Sequence, residues 1–169
     1  SEEELRKGER MREAILATSP IGIGLAEGRI IEWGNKALYS MVGYEESSLS
    51  GQDVKTVYAD NEEYERAGRE LYSGVKNKGI GKAETRWATK NGRVFDCYVQ
   101  ATPLDPSDHS KGTIIAAMDV TDRKNAEEVL RKSEERYRSL VENIDLGVTL
   151  IDSDHNIVML NASQSRLFS

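Results

Sequence analysis

Thr85-Arg86-Trp87-Ala88-Thr89-Lys90-Asn91-Gly92-Arg93-Val94-Phe95-Asp96-Cys97 is the stretch that decides the fold class. Asn91-Gly92 is the strongest short hairpin signal in the chain, because both central positions of a type I′ turn need positive φ. It separates two runs that read as strands, Gly81 to Thr89 and Arg93 to Thr102. A third strand, Thr113 to Val120, follows a polar, proline-containing loop. Three consecutive strands joined this way make an antiparallel sheet.

Upstream of the hairpin the apolar period lengthens. Asp60 and Glu63 form a capping-box pattern before a long helix on which Tyr64, Ala67, Leu71 and Val75 share one face. Earlier still, Ile21 to Ala26 reads as a strand, Glu27-Gly28 as a turn and Ile30 to Trp33 as a second strand. Asn35 is placed as the N-cap of a short helix, Lys36 to Val42, which Gly43 ends. The charged segment from Glu3 to Thr18, with Leu5, Met11, Ile15 and Leu16 at apolar positions, predicts a leading helix that Pro20 stops. Two strands, then helices, then three strands give an α+β class with helices on one face of an antiparallel sheet.

Downstream of Asp122 the pattern changes again. Ala126, Leu130, Ser133, Tyr137, Leu140 and Ile144 alternate at spacings of four and three, a heptad seam. Glu127 with Arg131, Glu128 with Lys132 and Glu134 with Arg138 are i,i+4 pairs in the favourable orientation. Such a helix either packs on its own domain or pairs in parallel with a second chain. The chain then starts to repeat. Leu5-Arg6-Lys7 returns as Leu130-Arg131-Lys132, Gly22-Ile23-Gly24-Leu25 as Gly147-Val148-Thr149-Leu150, and Ile31 with Asn35 as Ile157 with Asn161. A second copy begun and not finished makes this sequence, by expectation, a piece of a longer multi-module protein.

Composition narrows the function classes. Hydrophobic residues make up 38% and charged residues 31%, and no apolar run nears the roughly 18 residues of a membrane span. Ser1-Glu2-Glu3-Glu4 is acidic where a secretory signal is basic, and a single cysteine, Cys97, excludes an internal disulfide or a multi-cysteine metal site. A cytoplasmic location without direct membrane contact is the expectation. The net charge of −6 argues against a nucleic-acid surface. Enzyme readings fare poorly. The only histidines are His109 and His155, neither placed to pair with Cys97, and Gly22-Ile23-Gly24 lacks the third glycine of a dinucleotide loop, Glu27 standing in its place. No catalytic residue or metal ligand is assigned.

Three strings carry a family resemblance: Gly28 to Asn35, the Lys90-Asn91-Gly92 hairpin, and above all Asp119-Val120-Thr121-Asp122-Arg123-Lys124. Together with the order of elements they resemble a PAS domain of the sensory-box type, whose end carries an Asp-Ile-Thr-Glu-Arg-Lys signature. The resemblance divides the chain into an N-terminal helix at 1–19, the domain at 20–121, a linker or signalling helix at 122–143, and the truncated start of a second domain at 144–169. It implies a five-stranded antiparallel sheet of order 2-1-5-4-3 with helices cupping a small pocket. It also implies a sensory or relay module, dimeric through its flanking helices, upstream of a histidine kinase, cyclase or similar output in the same chain.

Cofactors follow residue by residue. Flavin-binding light-sensing relatives carry Gly-x-Asn-Cys-Arg-Phe-Leu-Gln; here the matching stretch is Gly51-Gln52-Asp53-Val54-Lys55-Thr56-Val57-Tyr58, with Val54 where the reactive thiol stands. Haem-binding relatives draw a histidine from the long helix, and Asp60 to Lys78 contains none. FMN photochemistry and haem are therefore not expected, and the ligand is left unknown. Alternation puts Thr85 and Trp87 on one face of their strand and Glu84 and Arg86 on the other. Trp87, Tyr98, Ile115 and Ala117 are expected to line a cavity. Leu38, Met41, Val54, Tyr64 and Leu71 would complete it, although the same set also makes an ordinary core. Arg86, if inward, is an anion anchor; if outward, an ion-pair partner. At the last strand, Thr121 is expected to cap the linker helix through its hydroxyl, and Asp119 to pair with Arg123, coupling pocket to helix. Ala126, Leu130, Tyr137 and Leu140 form the expected dimer seam.

Overall fold

Residues 1–143, 149–151 and 157–160 are described by the computed structural model. Ser1 caps the first helix, α1 (Glu2–Thr18), through a full capping box with Glu4, and no residue of α1 is buried. The chain then turns into β1 (Gly22–Glu27) and β2 (Ile30–Gly34), a tight antiparallel hairpin. Its two linking residues, Gly28 and Arg29, have φ of 57° and 67°. The type I′ signature thus belongs to this turn, and not to Asn91-Gly92 as expected. There only Gly92 has positive φ. Gly92 N–H donates to Thr89 O at 2.9 Å and Thr89 N–H to Arg93 O at 2.8 Å, a longer loop in which a left-handed glycine follows the turn.

Asn35 begins α2 (Lys36–Val42), which ends on left-handed Gly43. A 3₁₀ turn, Val54–Val57, leads to α3 (Asn61–Lys78), and then β3 (Gly81–Ala88), β4 (Val94–Pro103) and β5 (Thr113–Asp119) follow. The sheet has the order β2-β1-β5-β4-β3, antiparallel throughout, which is the arrangement the resemblance implies. Cross-strand partners share a face, so the pairs Trp87 with Phe95, Thr85 with Cys97 and Ala83 with Val99 build one buried inner surface. Leu38 and Val42 of α2 and Ala67, Leu71 and Val75 of α3 cover it.

Between the helices, the segment from Gly51 to Ala59 is stitched to both outer strands. Gly51 N–H and Ile31 N–H exchange hydrogen bonds with Ile31 O and Gln52 O at 2.7 and 2.8 Å, and Val54 N–H reaches Arg29 O at 2.9 Å. At its far end Tyr58 bridges Trp87, and Ala59 N–H donates to Arg86 O at 3.0 Å.

The last helix, α4 (Thr121–Glu142), is followed by β6 (Thr149–Ile151) and β7 (Ile157–Leu160). The chain divides into two compact units, Ser1–Thr121 and Asp122–Ser169. The β6–β7 pairing repeats that of β1–β2 in detail. Leu150 opposes Met159 as Leu25 opposes Trp33, Ile151 opposes Ile157 as Ala26 opposes Ile31, and each ladder shifts register at that same step. Ile144, Gly147, Val148 and Asn161 lie outside the described residues.

Two polar side chains hold the first unit together. Asn35, 4% exposed, accepts from Ile23 N–H at 2.9 Å and Leu38 N–H at 3.0 Å, and donates to Ile21 O at 3.0 Å and Leu16 O at 3.2 Å. Its amide joins the end of α1, the start of β1 and the first turn of α2. The second is Glu63. Asp60 caps α3 by accepting from Glu63 N–H at 2.8 Å, but the Glu63 carboxylate does not close the expected capping box. It reaches instead to β3, accepting from Thr85 Oγ1 at 2.7 Å and Arg86 N–H at 3.1 Å, and from Arg66 at 2.7 Å. Partial burial works to raise the Glu63 carboxyl, but those hydrogen bonds outweigh it and hold it below its ordinary value.

Asn35→Ala strands the half-buried Ile23 N–H and two carbonyls besides removing the cap on Leu38 N–H, so a loss of about 2–4 kcal/mol is expected in urea unfolding. Glu63 contributes its stability above the unfolded carboxyl value of 4.5 and loses it as pH falls through the lower folded value. Glu63→Gln is therefore expected to cost about 1 kcal/mol near neutral pH and to flatten the acid limb of a stability-versus-pH curve.

Candidate functional site: a core cavity and the strand-to-helix junction

A cavity of about 50 Å³ lies between the inner face of the sheet and its cover. Leu38 of α2, Val54 of the 3₁₀ turn, Leu71 of α3, Trp87 of β3 and Ile115 of β5 stand in its wall. The wall is almost entirely apolar, and Arg29, Tyr58, Tyr72 and Trp87 also border it.

Arg29 is the unusual member. A non-glycine residue in the left-handed region costs about 1–2 kcal/mol, which contacts of its side chain must offset. Those contacts are with α3. The guanidinium stacks over the Tyr64 ring, 3.6 Å from its centroid, lies 5.8 Å from that of Tyr72, and donates through Nη2 to Tyr64 O at 3.0 Å. Gly68, one turn from each tyrosine, makes the room: a Cβ there would stand 2.8 Å from Arg29 Nη2. The Nε–H of Arg29 is buried and has no hydrogen-bond partner.

Tyr58 links Arg29 to Trp87. Its ring meets Tyr64 edge-on at 5.6 Å and Trp87 at 6.0 Å, and Trp87 in turn meets Phe95 at 6.4 Å. Burial pushes the Tyr58 hydroxyl up to about 12, against a smaller lowering by Arg29, so it stays protonated. The Trp87 indole N–H approaches that hydroxyl closely enough to lower its value slightly, yet falls short of hydrogen-bond geometry and is a second buried donor without a partner. Burial also drives the Cys97 thiol far above its ordinary value, which makes it a poor nucleophile.

Four of the expected cavity residues stand elsewhere. Tyr98 opposes Glu84 across the β3–β4 ladder, so it lies on the outer face, and Phe95 shares the face of Trp87. Met41 is half-buried against the core and borders a surface groove with Lys90 and Arg93. Ala117 is fully buried within the core, and Tyr64 serves as the platform for Arg29. Arg86 points outward, 3.7 Å from Asp60 and 4.0 Å from Glu63. Arg29, Tyr58 and Tyr72 escaped the sequence reading. The legible signal was the four-residue spacing of Tyr64, Gly68 and Tyr72, which stacks two rings and a gap on one helix face.

At the junction, β5 passes into α4 under the control of β4. Val120 N–H donates to Asp96 O at 2.9 Å, and Asp96 N–H donates to Thr121 Oγ1 at 3.0 Å. The Thr121 hydroxyl therefore ties the helix start to β4, where a capping role was expected, and the Asp119 carboxylate accepts from Thr121 N–H at 2.9 Å. Arg123 is exposed. Along α4, Ala126, Leu130, Tyr137 and Leu140 are exposed, Leu130 by 60% and Leu140 by 61%. Arg131 pairs with Glu128 and Glu135, both at 2.6 Å, in place of Glu127.

Among the described residues no group of acidic, histidine or cysteine side chains is arranged to hold a metal ion, and no helix is long and apolar enough to cross a membrane.

Comparison with known proteins agrees with this geometry. Sensor protein TdiS of Thauera aromatica is 26% identical over 129 residues, 76% of this chain and 24% of that protein. Sporulation kinase A of Bacillus subtilis (strain 168) is 25% identical over 152 residues, 89% of this chain. The chain spans about a quarter of the length of either relative (24%). Among solved structures, the PAS domain, in complex with ethanol, of a LuxR-family transcriptional regulator from Burkholderia thailandensis is similar with a TM-score of 0.58. It is 22% identical and covers 64% of this chain and 96% of its own. A sensory box histidine kinase/response regulator from Burkholderia thailandensis gives a TM-score of 0.57 at 21% identity, covering 76% of this chain and 98% of its own. These likenesses show the fold. A PAS domain family model matches residues 19–122 and a second PAS domain model matches residues 135–168, so this chain belongs to the PAS domain family and carries one domain followed by part of another.

Proposed function

We propose that this chain is a non-catalytic sensing and relay segment of a larger cytoplasmic signalling protein of the sensor-kinase type. A small molecule occupies the core cavity, and its presence is read at the start of α4. One observation carries this reading: cavity wall and helix start are joined through a single strand. Phe95 packs against Trp87 in the wall, and the next residue, Asp96, grips Val120 and Thr121 through its own backbone N–H and C=O. A tilt of Trp87 that displaces β4 by a fraction of an ångström is passed to the first turn of α4 without an intervening loop. The relatives' names, a sensor protein and a kinase, support an output module elsewhere in the parent chain.

Association through the helices belongs to the same reading. Leu5, Met11 and Ile15 of α1 and Leu130, Tyr137 and Leu140 of α4 are exposed, more apolar surface along two helices than a solitary chain gains from. A parallel homodimer places each stripe against its mate. The small size of the cavity favours a second reading, in which the core stays side-chain filled and the domain only dimerises and relays.

Asp119→Ala removes the acceptor for Thr121 N–H at a solvent-facing position. Hydrogen exchange in the first turn of α4 should quicken by about tenfold while global stability falls by no more than about 1 kcal/mol; unchanged exchange would free the junction of its relay role. Leu130→Glu should shift the chain toward monomer in sedimentation velocity, because a charge at a seam is costly, and an unaltered assembly would remove α4 from the interface.

A further inference from the structure

Resting on the reading that the cavity takes a ligand, we infer that this ligand is an uncharged, apolar molecule of about two to four heavy atoms, held by packing alone without a hydrogen bond or an ion pair.

The wall sets the polarity. Leu38, Val54, Leu71, Val99 and Ile115 come from five different elements, and their hydrocarbon makes the lining almost entirely apolar. The polar atoms at its border are engaged or covered elsewhere. The Arg29 guanidinium lies on the Tyr64 ring and donates to Tyr64 O, and Arg29 Nε and Trp87 Nε1 are too deeply buried to present any surface to the cavity. A hydroxyl, amide or carboxylate entering here would give up its bonds to water and find no partner, and a charge would lose most. Water meets the same difficulty, since it is held only where about two to four polar groups face it. An apolar guest gives up no such bonds, buries its own surface and makes dispersion contacts with every side of the lining.

The walls are held apart from outside. A void in a core shrinks when the surrounding structure is free to relax. Here Asn35 fixes the first turn of α2 through Leu38 N–H, and Glu63 ties α3 to β3 through Thr85 Oγ1 and Arg86 N–H. Val54 N–H is bonded to Arg29 O at 2.9 Å, which sets the 3₁₀ turn against the first hairpin. None of these contacts uses a side chain that fills the cavity, so a guest and not a collapse is what occupies it.

Volume fixes the size. An apolar cavity of roughly 150 Å³ accepts benzene or xenon. With about 50 Å³ available, the guest is nearer to a three-carbon alkane than to a six-carbon ring.

The test is a methyl NMR titration of the 169-residue chain with propane, 1-propanol and sodium propionate, probes of like length that differ in one terminal group. Propane is expected to shift the methyl signals of Leu38, Val54, Leu71, Val99 and Ile115 saturably. The alcohol should bind at least about tenfold more weakly, and propionate should give no saturable shift. Val54→Phe puts a ring into the space from the cover and should abolish propane binding; Ile115→Phe does so from the sheet and decides the matter where Val54→Phe fails to fold. If 1-propanol or propionate binds as tightly as propane, the apolar assignment is wrong and the cavity remains a ligand site. If a folded, filled variant binds propane unchanged, propane sits elsewhere and the assignment is again wrong. If none of the three probes shifts any cavity methyl, both the assignment and the ligand reading fall.

Discussion

Everything in the first unit is referred to the Asn35 amide. One buried side chain fixes where α1 ends, where β1 starts and how α2 departs, because its oxygen takes two backbone N–H groups and its nitrogen serves two carbonyls. No other residue type of that size supplies a donor and an acceptor arm together. With that corner set, Leu38 sits over Gly22, Gly24 and Gly34, whose missing side chains let α2 lie close to the first hairpin. The cavity is the space that remains between this corner and α3.

The architecture was legible because its signals are local. Asn35 before an apolar run, Gly43 after it, the charged heptads beyond Thr121 and the repeated Leu-Arg-Lys strings each specify a helix end or a period, and the strand order followed from their sequence together with the family resemblance. The cavity was less so. Residue type alone places Tyr98 beside Trp87, whereas the antiparallel register pairs Trp87 with Phe95 and sends Tyr98 to the other face. Which of two turns takes the type I′ form also escaped, since Gly28-Arg29 hides a left-handed arginine where Asn91-Gly92 advertises a glycine. Arg29 matters through Tyr64, thirty-five positions away, and the spacing of Tyr64, Gly68 and Tyr72 marks the helix face that receives it without saying which residue arrives.

The junction shows a similar division. The Asp-Val-Thr-Asp-Arg-Lys string pointed to the right place, and Asp119 and Thr121 are both engaged there. What the string did not contain is Asp96, on a strand it pairs with only after folding. The hydroxyl of Thr121 answers to that strand and not to its own helix, so β4 is at once a wall of the core and the seat of α4.

The segment from Gly51 to Ala59 has an effect beyond roofing the core. Its hydrogen bonds fall on β2 and β3, the two outermost strands of the sheet, and occupy some of the backbone groups that would otherwise recruit an extended peptide or a neighbouring molecule. A domain of this kind, strung in series with part of a second PAS domain whose first hairpin shifts register at the same step, risks pairing the wrong hairpins while both are incomplete. Occupying part of each outer strand with the chain's own loop narrows that route to misassembly.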